Sequence, residues 1–217
     1  MGSVLRYTAS RCALSQVWVP PWLVYLLIVA IAYPPNTPAL GSLSLGALVL
    51  LPISAWLCLA TLNSESEQQS ASMAALAGGV VTYRMLVLVS ALCAALALVP
   101  FSILYALLHN AGPLPVGDVV AAVLPHGVSA AVGTTIGALV ARPLIARVGF
   151  ALVWSCLLVV ALIAIPHLPP VRLMVELLES AHLHTGDVIV SGATTAATLV
   201  GAAIVWWASA TFSRRRT

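Results

Sequence analysis

The densest group of side chains that could do metal or acid–base chemistry lies between the fifth and sixth apolar segments of the chain. Imidazole and carboxylate groups are ligands for first-row metals, so a metal-handling protein or a membrane-embedded enzyme is one hypothesis for this group. His182 and His184 are separated by one residue, which does not place two ligands on one face of a helix. No second motif fixes a ligand geometry, so we predict no metal site and expect a solvated rim. The group comprises His167, Glu176, Glu179, His182, His184 and Asp187.

A second set of polar side chains lies inside the apolar segments. A histidine at such a depth is rare and tends to face the protein interior or water, so His126 is a candidate for a polar transport pathway. The alternative is a buried, hydrogen-bonded histidine. The threonines are weaker candidates, because their hydroxyls often bond the backbone of their own helix. The full set of pathway candidates is His126, Thr134, Thr135, Thr194, Thr195 and Thr198.

These polar groups must be positioned by a protein that is overwhelmingly apolar. Of the 217 residues, 61% are hydrophobic and only 7% are charged, which excludes an ordinary soluble domain. An ATP-binding P-loop requires a lysine, and the sequence has none. No acidic residue lies deep in an apolar segment, which argues against transport coupled to protons or sodium through a buried carboxylate. We therefore predict a polytopic membrane protein without a catalytic site of its own.

Six apolar segments are long enough to cross about 30 Å of hydrocarbon, and membrane segments of this kind are helical. The predicted fold is therefore all-α, a single transmembrane domain with six transmembrane helices. Pro52 and Pro100 are expected to kink the second and third. The predicted spans are 17–33, 40–62, 83–108, 118–141, 148–165 and 188–212.

The arginines indicate which way the spans run. With six spans both termini lie on one side of the membrane, and eight of the nine arginines fall on that side. Only Arg172 falls on the other. Cytoplasmic loops are enriched in arginine and lysine, so both termini are predicted to be cytoplasmic and the protein to reside in the plasma membrane.

One polar stretch, Asn63–Arg84, separates the second span from the third. Ser64 and Glu67 have the spacing of a capping box, in which two side chains satisfy free N–H groups of the first helical turn. Strong helix formers follow up to Ala77, and Gly78-Gly79 is a typical helix C-terminus. The stretch therefore predicts a short helix on the cytoplasmic side, from which the chain returns into the bilayer.

This arrangement resembles the loop between the second and third spans of ABC-2-type transporter permeases. The resemblance matches Glu65 and Glu67 to the acidic residues that precede a coupling helix, and residues 71–77 to that helix. Departures are Gln68-Gln69-Ser70 and Gly78-Gly79, where family members often carry glycine and proline. The residues that the resemblance assigns to coupling are Ser64, Glu65, Glu67, Ser70, Met73, Leu76, Gly78, Gly79 and Arg84.

The segment Val171–Asp187 is amphipathic and predicts a helix at the external membrane surface, between spans five and six. ABC-2 permeases commonly have such an element, so the resemblance extends over the whole chain. It implies a separate ABC ATPase subunit that carries ATP and magnesium, and a second permease subunit, identical or homologous. No directly bound cofactor and no nucleic-acid partner are expected.

Small residues recur at every fourth position in two of the predicted spans, which lets helix backbones approach closely in lipid. We expect these stripes to pack within the chain, with a moving seam or a contact between permeases as the alternative. One stripe is Ser129, Gly133, Gly137 and Ala141, and the other is Ala193, Ala197 and Gly201. The four cysteines are expected to act as small buried hydrophobes.

The function that these features favour is the permease subunit of an ATP-binding-cassette exporter. Its apolar spans suit a hydrophobic or amphiphilic substrate such as a drug, lipid or peptide. The alternative is an integral membrane enzyme or metal-handling protein that uses the external histidines and carboxylates.

Overall fold

The computed structural model describes residues 10, 14–33, 39–109, 116–142, 145, 147–164 and 185–214. Regular secondary structure in these ranges is entirely α-helical, as expected for the fold class. The helices are α1 (Val19–Ala32), α2 (Ala39–Asn63), α3 (Glu67–Ala77), α4 (Val80–Leu96), α5 (Val99–His109), α6 (Val116–Val140), α7 (Val148–Ala164) and α8 (Thr185–Arg214).

Three helical segments within the described residues are long and apolar enough to cross a membrane: Gly41–Asn63 of α2, Val80–His109 of α4 and α5, and Ala122–Val140 of α6. Shorter apolar helices cover Val19–Ala32, Val148–Ala164 and Thr195–Thr211. With 1.5 Å of rise per residue, the 14 residues of α1 extend only about 21 Å. The structure therefore supports a membrane protein, and three spans are evident from length and composition.

The centre of the fold is a close contact between α2 and α6. A Cβ atom on Gly137 would lie 2.6 Å from the carbonyl oxygen of Ala55 and 2.7 Å from Cβ of Cys58. A Cβ on Gly133 would meet Ser54 Oγ and the carbonyl of Leu51. Glycine is thus required for the observed approach, which confirms that the stripe on α6 packs within the chain.

Ser54 adds a polar link to this contact between α2 and α6. Its Oγ lies 2.9 Å from the carbonyl of Leu51 and 3.3 Å from the carbonyl of Ser129. The pairing of Gly46 with His126, Ser54 with Ser129 and Cys58 with Gly137 advances in the same direction along both helices. We infer that α2 and α6 run parallel.

The α-helical hydrogen-bond pattern is interrupted between α4 and α5, at residues 97–98. Leu98 N–H bonds the carbonyl of Ala95 instead of continuing the α-helical pattern, and Pro100 has no N–H for the carbonyl of Leu96. This interruption agrees with the expected kink. Contacts from Arg84 to the last turn of α6, and from Ser102 to its first half, show that α4 and α5 run opposite to α6.

These directions define two ends of the bundle. The "α3 end" contains α3, the end of α2 and the end of α6. The "far end" contains the end of α5 and the starts of α2 and α6.

Two sequence-based expectations about the rest of the chain were wrong. The small-residue stripe of α8 is not packed against the described residues, because Ala193 and Ala197 are exposed and a Cβ atom on Gly201 would have no neighbour within 4 Å. Cys58 is buried as expected, but Cys93 and Cys156 are exposed on apolar helices.

Candidate functional site

The helix predicted between the second and third apolar segments is present as α3, but a different serine caps it. Ser66 is the N-cap, and its side chain accepts a hydrogen bond from Gln69 N–H at 3.3 Å. Ser64 instead donates to the carbonyl of Thr61 at 2.8 Å. The predicted Ser64–Glu67 pairing was wrong because α2 extends to Asn63, so Ser64 belongs to the end of α2.

The other end of α3 follows the prediction. Gly78 adopts φ +85° and Gly79 φ +140°, both in the region that favours glycine. The N–H of Gly79 bonds the carbonyl of Ala74 at 2.8 Å, which satisfies a carbonyl left free at the helix end. Two glycines therefore turn the chain sharply from α3 into α4.

α3 is attached to the start of α4 by polar and apolar contacts. The hydroxyl of Tyr83 donates a hydrogen bond to the carboxylate of Glu65. On the inner face of α3, Ala74 and Ala77 pack against Tyr83 and Val87 of α4. A displacement of α3 would therefore be transmitted directly to the first turn of α4.

The opposite face of α3 is exposed, and it includes a large apolar side chain. Leu76 is 71% exposed, while Met73 is only partly exposed and packs towards α4. Ser70 is half-buried near the start of the helix. Glu67 is the first residue of α3, and its side chain lies outside the described part of the structure. Leu76, being exposed, is therefore available for contact with another molecule.

Arg84 lies one residue beyond Tyr83 and connects α4 to α6. Its side chain is 8% exposed, and Nη1 donates to the carbonyl of Arg142 at 2.7 Å. Nη2 donates to the carbonyl of Ala138 at 3.3 Å. These carbonyls belong to the end of α6, where a cation is favoured by the helix dipole. Two of the coupling candidates, Glu65 and Arg84, therefore connect the segment before α3 to α6, through Tyr83 and the start of α4. In contrast, Ser64 bonds α2 and Leu76 faces away.

His126 lies in a different place, near the far end. It is fully buried, with Nδ1 2.8 Å from the carbonyl of Ala122 and Nε2 3.3 Å from Ser102 Oγ. Ser102 Oγ lies 2.7 Å from the hydroxyl of Tyr33. A nearby tyrosine, Tyr25, donates to the carbonyl of Gly46 at 3.4 Å. The hydrogen-bonded alternative for His126 is the one observed.

Sequence reasoning missed Tyr33 and Ser102 as partners of His126. A serine next to a histidine could form a nucleophile and its base. Ser102 is fully buried, however, so no substrate reaches it in this conformation. No local pattern in the sequence pairs these residues, because Ser102 and His126 lie in different helices 24 positions apart.

The threonine candidates divide into two groups. Thr134 and Thr135 donate to the carbonyls of Ala130 and Ala131, four residues earlier in α6. Thr135 also accepts a hydrogen bond from Trp206 Nε1 of α8 at 3.0 Å. Thr194, Thr195 and Thr198 lie in α8; the last two are partly buried, and the side chain of Thr194 is outside the described residues. Thr135 therefore links α6 to α8, whereas the hydrogen bond of Thr134 lies within α6.

The proposed external helix and its titratable residues fall outside the described residues, except that Asp187 belongs to the first turn of α8. Among the residues that the structure does describe, no group of three or more potential metal ligands occurs.

Comparison with known proteins adds no identification: no family model, no curated protein and no solved structure matches this chain. Function therefore has to be inferred from the arrangement of α3, α4 and α6 described above.

Proposed function

We propose that this protein is the permease subunit of an ATP-binding-cassette exporter. The observation that supports the proposal best is the geometry of α3. A short, independently capped helix lies between two long apolar helices, attached on one face and exposing Leu76 on the other. A helix in this position can bind a separate subunit through its exposed face and transmit a displacement to the membrane helices through its attached face.

In this proposal the chain has six spans, with α3 and both termini in the cytoplasm and the whole in the plasma membrane. The arginine distribution supports this orientation, and Arg84 and Arg142 meet at the α3 end. The permease has no catalytic site, and ATP and magnesium bind the partner ATPase. A second permease subunit, identical or homologous, completes the complex by the ABC-2 resemblance.

In the proposed mechanism, the nucleotide state of the ATPase shifts the equilibrium between two conformations of the permease. ATP stabilises one state of the ATPase, and the surface of α3 binds that state differently from the other. The contacts of Tyr83 with Glu65, and of Arg84 with α6, carry the displacement into the bundle. A path for a hydrophobic or amphiphilic substrate then opens on one side of the membrane and closes on the other.

The test is whether Leu76 is required for binding of the ATPase. The tagged full-length chain is expressed in its native host and purified in mild detergent, and any ABC ATPase that co-purifies is identified by mass spectrometry and its amount measured. Leu76→Asp places a charge in the docking surface, so we expect a loss of at least about tenfold in bound ATPase, the effect of a typical interface anchor.

Leu76→Met is the matched control, since it keeps an apolar side chain of similar volume and should retain full binding. Membrane insertion of both variants is checked by alkaline extraction. Retention of the ATPase by Leu76→Asp at the wild-type yield would contradict the assignment of α3.

A further inference from the structure

The far end of the bundle is joined by a chain of three polar side chains, two from helices and one from the residue that follows α1. The hydroxyl of Tyr25 in α1 also lies within hydrogen-bond reach of Ser102. Tyr33 follows α1 directly, Ser102 belongs to α5 and His126 to α6, and each is at most 2% exposed. A carbonyl oxygen can only accept, so Nδ1 of His126 carries the hydrogen that bonds Ala122. In the neutral ring Nε2 then accepts from Ser102, whose oxygen accepts from Tyr33. The hydroxyl–imidazole chain therefore has one direction, from Tyr33 to His126.

The fourth helix at this place is α2, and the residue it presents here is a glycine, Gly46, which has no side chain. A Cβ atom on Gly46 would lie 2.7 Å from Ser102 Oγ and 3.3 Å from His126 Nε2, and it would also meet the hydroxyl of Tyr33. Gly46 thus makes the room in which all three polar groups converge. The three polar side chains therefore pack directly against the backbone of α2 at Gly46.

Prolines interrupt the backbone next to the chain. Pro100 separates α4 from α5 two residues before Ser102, and Pro125 directly precedes His126 inside α6. Each proline removes one i→i−4 backbone hydrogen bond, which lowers the cost of bending the helix at these two places. The far-end segments that carry Ser102 and the start of α6 can therefore swing relative to the remainder of their helices.

The remainder is held much more firmly. From Leu51 to Cys58, α2 touches α6 backbone to backbone at Gly133 and Gly137. In lipid no hydrophobic effect drives helices together, so interhelical hydrogen bonds and close packing do this work. The α2–α6 contact has both of these, whereas at the far end the helices meet through apolar side chains such as Val29, Leu43 and Ala106 and through the hydroxyl–imidazole chain.

We propose that the hydroxyl–imidazole chain is a latch that keeps the far end of the bundle closed, with Pro100 and Pro125 as its hinges. When the chain breaks, α1 and α5 separate from α2 and from His126 at that end, the start of α6 bends away at Pro125, and the α2–α6 contact at Gly133 and Gly137 persists. This latch is a property of the fold alone. The latch does not depend on an ATPase partner. An experiment can therefore refute the latch without refuting the exporter proposal, and can refute the exporter proposal without refuting the latch.

The experiment is amide hydrogen exchange, measured by mass spectrometry on the full-length protein in phospholipid nanodiscs. Tyr33→Phe removes only the first hydroxyl of the chain, and Gly46→Ala leaves all three polar groups but inserts a methyl between them. Each variant should accelerate exchange in residues 99–109 and 116–125 by about threefold to about twentyfold, the range measured for interhelical hydrogen bonds in membranes. Peptides covering 51–58 and 132–140 should not change.

Tyr83→Phe is the matched control, because it makes the same chemical change at the α3 end. It should accelerate exchange near α3 and leave the far end unaffected. The latch is refuted by unchanged exchange at the far end in both variants, and equally by acceleration that extends to the α2–α6 peptides, since that would show general destabilisation rather than a local opening.

Discussion

At the scale of single residues, Arg84 is the side chain whose placement matters most. A guanidinium that is almost fully buried in an apolar protein requires acceptors, and it finds two in the carbonyls of Arg142 and Ala138 at the end of α6. Arg84 thus links α4 to the end of α6, one residue beyond Tyr83.

We predict that Arg84→Met destabilises the protein by about 2 kcal/mol, since hydrogen bonds from charged groups contribute about 1.5–3 kcal/mol. The measurement is the unfolding midpoint in detergent micelles titrated with a denaturing detergent. Arg84→Lys keeps the charge but loses the planar fork of donors, so it should recover only part of the loss. Equal stability of Arg84→Met and the native protein would show that these bonds are unimportant.

The residue scale also shows where sequence reasoning succeeds. Gly78 could be assigned in advance, because a left-handed helix terminus is a local requirement that glycine meets. His126 could be identified as unusual, but its partners could not, since Ser102 and Tyr33 are brought to it by the tertiary fold. Ser64 with Glu67 and Ser66 with Gln69 have the same capping spacing, and only the end of α2 at Asn63 distinguishes them.

At the scale of helices, the two stripes of small residues have different outcomes despite similar spacing. On α6 the stripe lies against α2, and Gly133 and Gly137 permit backbone contact. On α8 the stripe faces away from the described residues, and the buried positions Ala202 and Trp206 pack against other helices instead. Spacing thus identifies a possible contact face, and the rotation of the helix about its axis decides whether the face is used.

We predict that Gly133→Ala destabilises the α2–α6 contact by about 1–3 kcal/mol, the usual cost of overpacking. Gly127→Ala is the control on the same helix, because a Cβ there has no atom within 4 Å. It should be neutral or slightly stabilising, since alanine is the better helix former. Unfolding midpoints of both variants in the same detergent mixture provide the comparison, and similar values would contradict the contact.

At the scale of the whole molecule, the described helices have two unlike ends. The α3 end gathers a capped helix, a carboxylate and arginines, whereas the far end is closed by neutral polar groups around Gly46. Composition alone established a membrane protein, because so few charges cannot cover a soluble surface. It could not establish how the helices pair, since α2 and α6 are brought together across three intervening helices.

We predict that a cysteine replacing Ser72, on the exposed side of α3, reacts with an impermeant maleimide only after cells are permeabilised. A cysteine replacing Leu108, which is 72% exposed at the far end, should react on intact cells. Both are introduced after the four native cysteines are replaced by alanine. Reaction of the Ser72 position on intact cells would place α3 outside the cell and refute the exporter proposal.

The parallel pairing of α2 with α6 has a consequence for how the protein is made. Ser54 and the carbonyl it reaches on Ser129 are 75 positions apart. At a translation rate of about 5–20 residues per second, roughly 4–15 s pass between the synthesis of Ser54 in α2 and that of Ser129 in α6. During that interval Ser54 keeps its bond to Leu51, within its own helix. During biogenesis α2 must therefore be stable in the bilayer by itself and still be able to pack against α6 once α6 has been inserted.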